Sequence, residues 1–333
     1  MSSTLRPSKV TASDVARHAH VSTPAVYQAL SGSGRLKEST RQRILKSAAK
    51  LGFRLNPAAA STKSGRHQVL GMVISNWNII PKALLFHLIV EAQRHGFRLL
   101  LDVLTDTSDP HILQRDCVDG VLIFEVLPET IRQRLAKLGI PVIEINTNRR
   151  TGRGVITYDD EGAVAEALKF LKARGRRRPV LLMPEHGGQH YSEAVRQETF
   201  SAVCRELKLR PLPVLRVPGN AGSEPGQTVK TIRQLLGKLQ AADALVLYDD
   251  RFAAPLLEAC RQEGWSLPER AHILTLGESW RSEILYPPIS SMAIARETLA
   301  STIMETMLDA LKSGQPAPAQ KLEFQLHERG FTC

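Results

Sequence analysis

The sequence predicts an α/β protein in which a small helix-turn-helix module of three helices precedes a large core built on parallel sheets. Three observations carry that expectation. The first is charge. Residues 1–66 hold 12 Lys/Arg against only Asp14 and Glu38, while the remaining 267 residues hold 32 basic and 31 acidic groups, so nearly all of the net charge of +11 sits in the first fifth of the chain. A compact cationic module attracts phosphate backbones and releases their counterions. The second is a set of three short helix patterns between Thr11 and Gly52. The third is the alternation, from Gln68 onward, of apolar runs with amphipathic stretches, which is how parallel sheets covered on both faces read.

Length and composition set the outer limits. A chain of 333 residues with 43% hydrophobic content has room for two or three domains with proper cores. Cys117, Cys204, Cys260 and Cys333 are scattered, with no CxxC pair and no Cys/His cluster. That spacing argues against zinc and against a disulfide framework, and neither a metal nor a cofactor is expected. Met1 to Lys9 is polar and lacks an apolar h-region, and no apolar run reaches the roughly 20 residues of a membrane helix. The expectation is a soluble, intracellular chain.

The first helix starts at Thr11, a capping residue, with Asp14 placed to answer the cap and the helix dipole. Val15, Ala16 and Ala19 share one face. His20-Val21-Ser22 makes the turn, and Ser22 precedes Thr23-Pro24, where proline is harmless because first-turn N–H groups have no intrahelical partner. Val26 and Leu30 give the second helix its inward face, and Gly32-Ser33-Gly34 ends it. The third helix runs from about Glu38 to Leu51, with Ile44, Leu45, Ala48 and Leu51 as its stripe and Gly52 just past its end. Two short helices around a three-residue turn, closed by a third, form the unit that presents its second helix to a DNA major groove. A plain three-helix bundle with a solvated basic face is the alternative.

The same residues carry a resemblance. Thr11, Asp14, Val15, Ala16, Ala19, Val21, Ser22, Val26, Leu30 and Gly32, continued by Thr40-Arg41, Ile44, Leu51-Gly52-Phe53 and Asn56, match the N-terminal pattern of the lactose-repressor/galactose-repressor (LacI/GalR) family of regulators. The chain departs from that pattern at the turn glycine, which is His20, a residue that tolerates positive φ better than most. It departs again in the second helix, where Ala25, Tyr27 and Gln28 replace the usual residues. The resemblance implies that Ser22, Thr23, Tyr27, Gln28 and Arg35 meet DNA. Ser22 and Thr23 suit phosphates, which position the helix without reading sequence. Gln28 suits the N6/N7 edge of adenine. Tyr27 either faces a base or packs on the sugar-phosphate edge.

Asn56-Pro57 followed by three alanines and then Gly65 reads as a short helical linker, too short to be stable alone. The resemblance implies a hinge helix that orders on DNA, with Asn56 at its start and Thr62 where the family places a wedging leucine. Threonine is a poor wedge between base steps. A plain tether is the alternative.

In the core, strands are expected at Val69–Ser75, Arg98–Leu104, Val118–Phe124, Pro141–Ile145, Pro179–Met183, Val214–Val217, Ala244–Tyr248 and His272–Leu276. Helices are expected at 81–95, 129–138, 161–174, 192–207, 226–239, 251–263 and 296–312. Val118–Ile123, Gly139–Ile143, Asp160–Ala163, Arg174–Val180, Pro268-Glu269, Pro287–Ser291 and Leu326–Arg329 are family landmarks in the family's order. They imply a periplasmic-binding-protein-like fold with two lobes and a ligand between them. The expected division is 1–55 for the helix-turn-helix domain, 56–67 for the hinge and 68–333 for the core. Within the core, one lobe takes about 68–157 and 288–316, the other about 158–287 and 317–333.

Open parallel sheets bind ligands at the carboxyl ends of their strands. The strand-end candidates are Asn76 and Trp77, Arg196, Asp249 and Glu278. Trp77 beside polar groups suits a sugar face, or else packs between lobes. Arg196 matches a family arginine and can grip vicinal hydroxyls; a surface ion pair with Glu193 or Glu198 is its alternative. Carboxylates at Asp249 and Glu278 favour sugars or amino groups over phosphorylated ligands, though a helix-start carboxylate such as Asp250 often only caps. The stretch from Asp106 to Val118 is several residues shorter than the family's, which alters part of the dimer surface the resemblance implies. No Walker loop, G-x-S-x-G elbow or HExxH is present, and His186 and His190 around Gly187-Gly188 read as a loop. The expectation is therefore not an enzyme. It is a homodimeric DNA-binding regulator, a repressor of an operator in double-stranded DNA, with a sugar-like effector and no membrane partner. A regulator with a degenerate pocket is the alternative, and a sugar-binding α/β enzyme or a secreted binding protein is a remoter one.

Overall fold

The structure is a computed structural model and describes residues 10–31, 36–53, 67–74, 82–104, 112, 117–124, 126–185, 190–218, 225–265, 271–277, 280–286 and 288–329. The chain divides into two units, Met1–Gln68 and Val69–Cys333.

The first unit holds α1 (Ala12–His18), α2 (Thr23–Ser31) and α3 (Glu38–Lys50). The expected cap on α1 is a full capping box. Asp14 N–H donates to the Thr11 hydroxyl (3.3 Å), and Thr11 N–H donates back to Asp14 Oδ2 (2.9 Å). His20 takes φ 49°, so the turn uses the left-handed backbone that the family's glycine would supply. Val15, Ala19, Val26, Ala29, Ile44 and Ala48 close the core between the three helices. His18 Nδ1 lies 3.1 Å from Ser47 Oγ and ties α1 to α3.

The second unit is built on two six-stranded sheets. The first contains β1 (Val69–Ile74), β2 (Arg98–Val103), β3 (Gly120–Phe124), β4 (Val142–Ile145), β5 (Val155–Tyr158) and β11 (Gln320–Leu322), in the order β11-β5-β4-β3-β1-β2. The second contains β6 (Pro179–Pro184), β7 (Leu215–Val217), β8 (Ala244–Leu247), β9 (His272–Leu276), β10 (Ser290–Ala293) and β12 (Gln325–His327), in the order β12-β10-β9-β8-β6-β7. The β10–β12 pair is antiparallel and the other pairings are parallel.

Both sheets are covered on two sides, as their continuous apolar strands require. On the first, α4 (Lys82–Arg94) and α11 (Arg296–Ser313) supply Leu84, Leu88, Ile303, Met304 and Met307 to one face. The other face packs Ile112, Leu127 and Leu135, the last from α5 (Glu129–Ala136). On the second, α6 (Asp160–Ala173) and α7 (Tyr191–Glu206) cover one face with Val164, Leu168 and Phe200. Helices α8 (Pro225–Leu239) and α9 (Ala253–Gln262) cover the other with Ile232, Leu236 and Leu256. A short α10 (Trp280–Ile284) follows β9.

The lobe boundaries lie later than the sequence suggests. Residues 288–316 were expected in the first lobe, yet Ser290 pairs with Leu274 and Met292 with Leu276 in the second sheet. Residues 317–333 were expected in the second lobe, yet Gln320 pairs with Ile156 in the first. The physical reason for β10 is its serines. Ser290 and Ser291 are fully buried, and Arg329 ties them down by its N–H to Ser290 Oγ (2.7 Å) and its guanidinium to Ser291 Oγ (2.8 Å). The chain thus crosses between lobes at 159, at 294–295 and at 323–324.

Candidate functional site

In the first unit the expected DNA-facing residues lie at the start and outer side of α2. Ser22 is exposed and its carbonyl accepts from Val26 N–H (3.3 Å), opening the helix. Thr23 is half-buried and Gln28 is exposed, on the opposite side from Val26 and Ala29. Tyr27 is half-buried and leans its ring on the three-helix core. Arg35, Asn56 and Thr62 lie outside the described residues, as does nearly all of the linker.

In the second unit the carboxyl ends of β4, β6, β8 and β9 bring polar side chains from both lobes together. Asn146 follows β4 with φ 52°. His190, expected to be a loop residue, is the N-cap of α7. Its Nδ1 accepts from Ser192 N–H (3.2 Å), and its Nε2 faces the Asn146 carbonyl oxygen in the other lobe at 2.7 Å. A carbonyl can only accept, so the imidazole proton sits on Nε2. Ser192 Oγ lies 2.6 Å from His190 Nδ1 and 2.7 Å from the Tyr248 hydroxyl at the end of β8.

Tyr191 crosses the same gap twice. Its N–H donates to Asn148 Oδ1 (2.9 Å) and its hydroxyl to Asn146 Oδ1 (3.1 Å). The Arg150 guanidinium stacks over the Tyr191 ring at 4.8 Å and donates to Glu161 Oε1 (2.8 Å). Burial, reinforced by the Asp160 carboxylate beside it, pushes the Tyr191 hydroxyl well above its ordinary value.

Arg196 is buried rather than on the surface. Neither Glu193 nor Glu198 is its ion-pair partner. Asp160, the fully buried first residue of α6, takes Nε and one Nη at 2.7 Å each. The other Nη donates to the carbonyls of Tyr248 (2.5 Å) and Leu276 (2.8 Å), at the ends of β8 and β9. Burial works against this guanidinium's charge, and the Asp160 carboxylate outweighs it, so its pKa is raised. Asp249, rather than Asp250, caps the short turn before α9, accepting from Arg251 N–H (2.8 Å) and pairing with the Arg251 side chain at 2.6 Å. Burial alone would raise this carboxyl, but Arg251 holds it below the usual carboxylate range. Asp250 is buried and accepts from Ser282 Oγ (3.1 Å). Asn76, Trp77 and Glu278 lie outside the described residues, as does most of the shortened 106–118 segment.

Sequence reasoning therefore reached Arg196 and Asp249 but missed Asn146, Asn148, His190, Tyr191 and Tyr248. A usable signal existed, because Asn146 and Tyr248 each stand at the carboxyl end of an expected strand, where parallel sheets gather their polar groups. Among the described residues no cluster of His, Cys, Asp or Glu is arranged to hold a metal ion.

A helix-turn-helix unit ahead of two interleaved α/β lobes defines a protein with a periplasmic-binding-protein-like core. A family described as "Periplasmic binding protein-like domain" matches residues 168–332. Catabolite control protein A of Staphylococcus epidermidis is 24% identical over 294 residues, covering 85% of this chain and 87% of its own length. The HTH-type transcriptional regulator GalR of Streptococcus thermophilus is 24% identical over 332 residues, covering 97% and 99%. Among solved structures, the lac repressor dimer bound to operator and an anti-inducer superposes with a TM-score of 0.80 at 18% identity, covering 97% of this chain and 99% of its own. The regulator CelR in complex with cellobiose superposes with a TM-score of 0.68 at 18% identity, covering 96% and 99%. Over 85–97% of its length the chain is thus similar to transcriptional regulators named catabolite control protein A, GalR and PurR.

Proposed function

We propose that this chain is a cytoplasmic, homodimeric transcriptional repressor that binds an operator in double-stranded DNA and answers a small effector of the sugar class received between its lobes. The observation that carries the reading is the pairing, in one chain, of a strongly basic helix-turn-helix unit with a two-lobed cleft lined by polar side chains from both lobes. The curated relatives are regulators rather than enzymes. Phe86 and Ile89, exposed on one side of α4, offer apolar surface for a second copy. Ser22, Thr23, Tyr27, Gln28 and Arg35 are assigned to DNA, with Asn56 and Thr62 in the hinge. Asn76, Trp77, Arg196, Asp249 and Glu278 are assigned to the effector cleft. An effector acts only through a difference in its affinity for two arrangements of the core.

The test is selection of bound sites from a randomised duplex library with the full chain at near-physiological salt. A symmetric site with half-sites about one helical turn apart supports a dimeric, sequence-specific repressor; diffuse binding without a motif refutes it. Release or tightening of that site is then measured with a panel of mono- and disaccharides. A second reading, a regulator whose cleft answers no small molecule, is favoured by the engagement of Arg196 and Asp249 with protein partners. It predicts a selected site that no member of the panel shifts.

A further inference from the structure

We propose that His190 and Tyr191 form a latch that holds the second lobe against the first through protein groups alone, so that the closed core is the arrangement the chain itself favours. This concerns the cleft that the proposed function treats as the regulatory site, and it rests on that reading only for its consequence. His190 Nε2–H reaches the Asn146 carbonyl, Tyr191 N–H reaches Asn148 Oδ1, and the Tyr191 hydroxyl reaches Asn146 Oδ1. All three donors are on the second lobe and all three acceptors are on the single loop that follows β4. Asn146 presents that loop with positive φ, a conformation that asparagine adopts more readily than most residues. Arg150, on the same loop, lies over the Tyr191 ring and is itself held by Glu161 at the start of α6.

The latch is wired into its own lobe as firmly as into the other. His190 caps α7, so the residue that crosses the gap also fixes the start of the helix that carries Arg196. Ser192 links His190 to Tyr248, and Arg196 gathers Asp160 and the ends of β8 and β9. Opening the lobes would break these three hydrogen bonds together. Anything entering between them must compete with Asn146 and Asn148 for the same donors.

One backbone amide reports directly on closure, because Tyr191 N–H has its partner in the opposite lobe. Amide hydrogen exchange on the full chain, with no sugar added, should show that amide slowed by about a hundredfold or more relative to an open chain. Asn148→Ala removes the acceptor without touching the helix cap, and should speed exchange of Tyr191 by about tenfold or more while β1 and β9 stay unchanged. His190→Ala should speed exchange in residues 146–150 as well as in 190–193. The proposal is overturned if the Tyr191 amide exchanges freely in the unaltered chain, or if Asn148→Ala leaves it as slow as before. It is overturned equally if His190→Ala acts only within α7, since His190 would then be a helix cap and nothing more. Should His190→Ala fail to fold, the Asn148→Ala and Tyr191→Phe chains carry the test. None of these measurements involves DNA, so loss of the latch and failure to select an operator are separate results.

Discussion

Removing the Arg196 guanidinium would leave the Asp160 carboxylate, fully buried, without its counter-charge. Breaking one partner out of a buried pair typically costs about 3–5 kcal/mol, and that is the loss expected for Arg196→Ala by urea denaturation. A loss below about 1 kcal/mol would mean that water reaches Asp160. Lysine should rescue little, because a point charge cannot serve a carboxylate and two strand-end carbonyls at once. This cost also shapes any test of effector binding at Arg196, since altered ligand response and altered stability would arrive together. Gln28 presents the opposite case. It is exposed and outside the three-helix core, so Gln28→Ala should leave folding intact. On the preferred site it should cost about 1–3 kcal/mol and relax preference at one symmetric base pair. Binding curves that weaken equally on all sequences would instead assign Gln28 to the phosphates.

At the scale of elements, Gly154 governs how β4 and β5 meet. It has φ +74°, and a Cβ there would stand 2.7 Å from the Val142 carbonyl oxygen. Its own N–H and C=O bond Ala317 and Glu144, joining three segments of the first lobe. Gly154→Ala combines left-handed strain with a backbone collision that no side-chain rotation relieves. A loss of roughly 2–4 kcal/mol is expected in thermal or urea melts, and an unchanged melt would mean that the turn re-forms in another shape. The elements themselves were largely legible. Eight strands declared themselves as apolar runs because buried parallel strands need apolar side chains on both faces. Of the four that escaped, three had no such run and the fourth had only a short one. Ser290–Ala293 is buried through serines bonded to Arg329, a partner 38 or more residues away. Gln320–Leu322 and Gln325–His327 are three-residue edge strands with polar, partly exposed side chains. Val155–Tyr158 is a four-residue run straight after a glycine turn. The site was less legible than the fold. Asp249 could be placed at a strand end and Arg196 by the resemblance, but the Asn146–His190 and Asn148–Tyr191 pairs exist only once two lobes have closed.

At the scale of the molecule, two asymmetries dominate. The first is charge, concentrated in the first 66 residues, so the affinity of the full chain for duplex DNA should fall steeply with added salt while the core's stability changes little. The second is acid sensitivity. His272, at the base of the second sheet, has its pKa lowered by burial and by the adjacent Arg176 and Arg174. The folded chain therefore prefers the neutral imidazole. The unfolded chain takes up a proton as pH falls through about 6.5, so this contribution to stability is complete above that pH and shrinks below it as the folded value is approached. Melting temperatures between pH 7.5 and pH 5 should decline on the acid side, and His272→Gln should flatten the decline. An identical slope in both chains would place the acid sensitivity elsewhere.

The three crossings between lobes also set the timetable of folding on the ribosome. The first lobe's sheet waits for β11, which pairs with β5 from across nearly the whole second lobe, Gln320 against Ile156. Synthesis at about 5–20 residues per second leaves a wait of roughly 10–30 s between the emergence of the two partners. During that interval β1 to β5 have been made, but α11 has not arrived to cover their apolar face. The helix-turn-helix unit, whose buried core runs from Ala12 to Ala48, is complete long before. A nascent chain thus exposes an unfinished sheet behind a finished basic module, and holding that sheet back from other chains is the step in its synthesis where a chaperone has most to do.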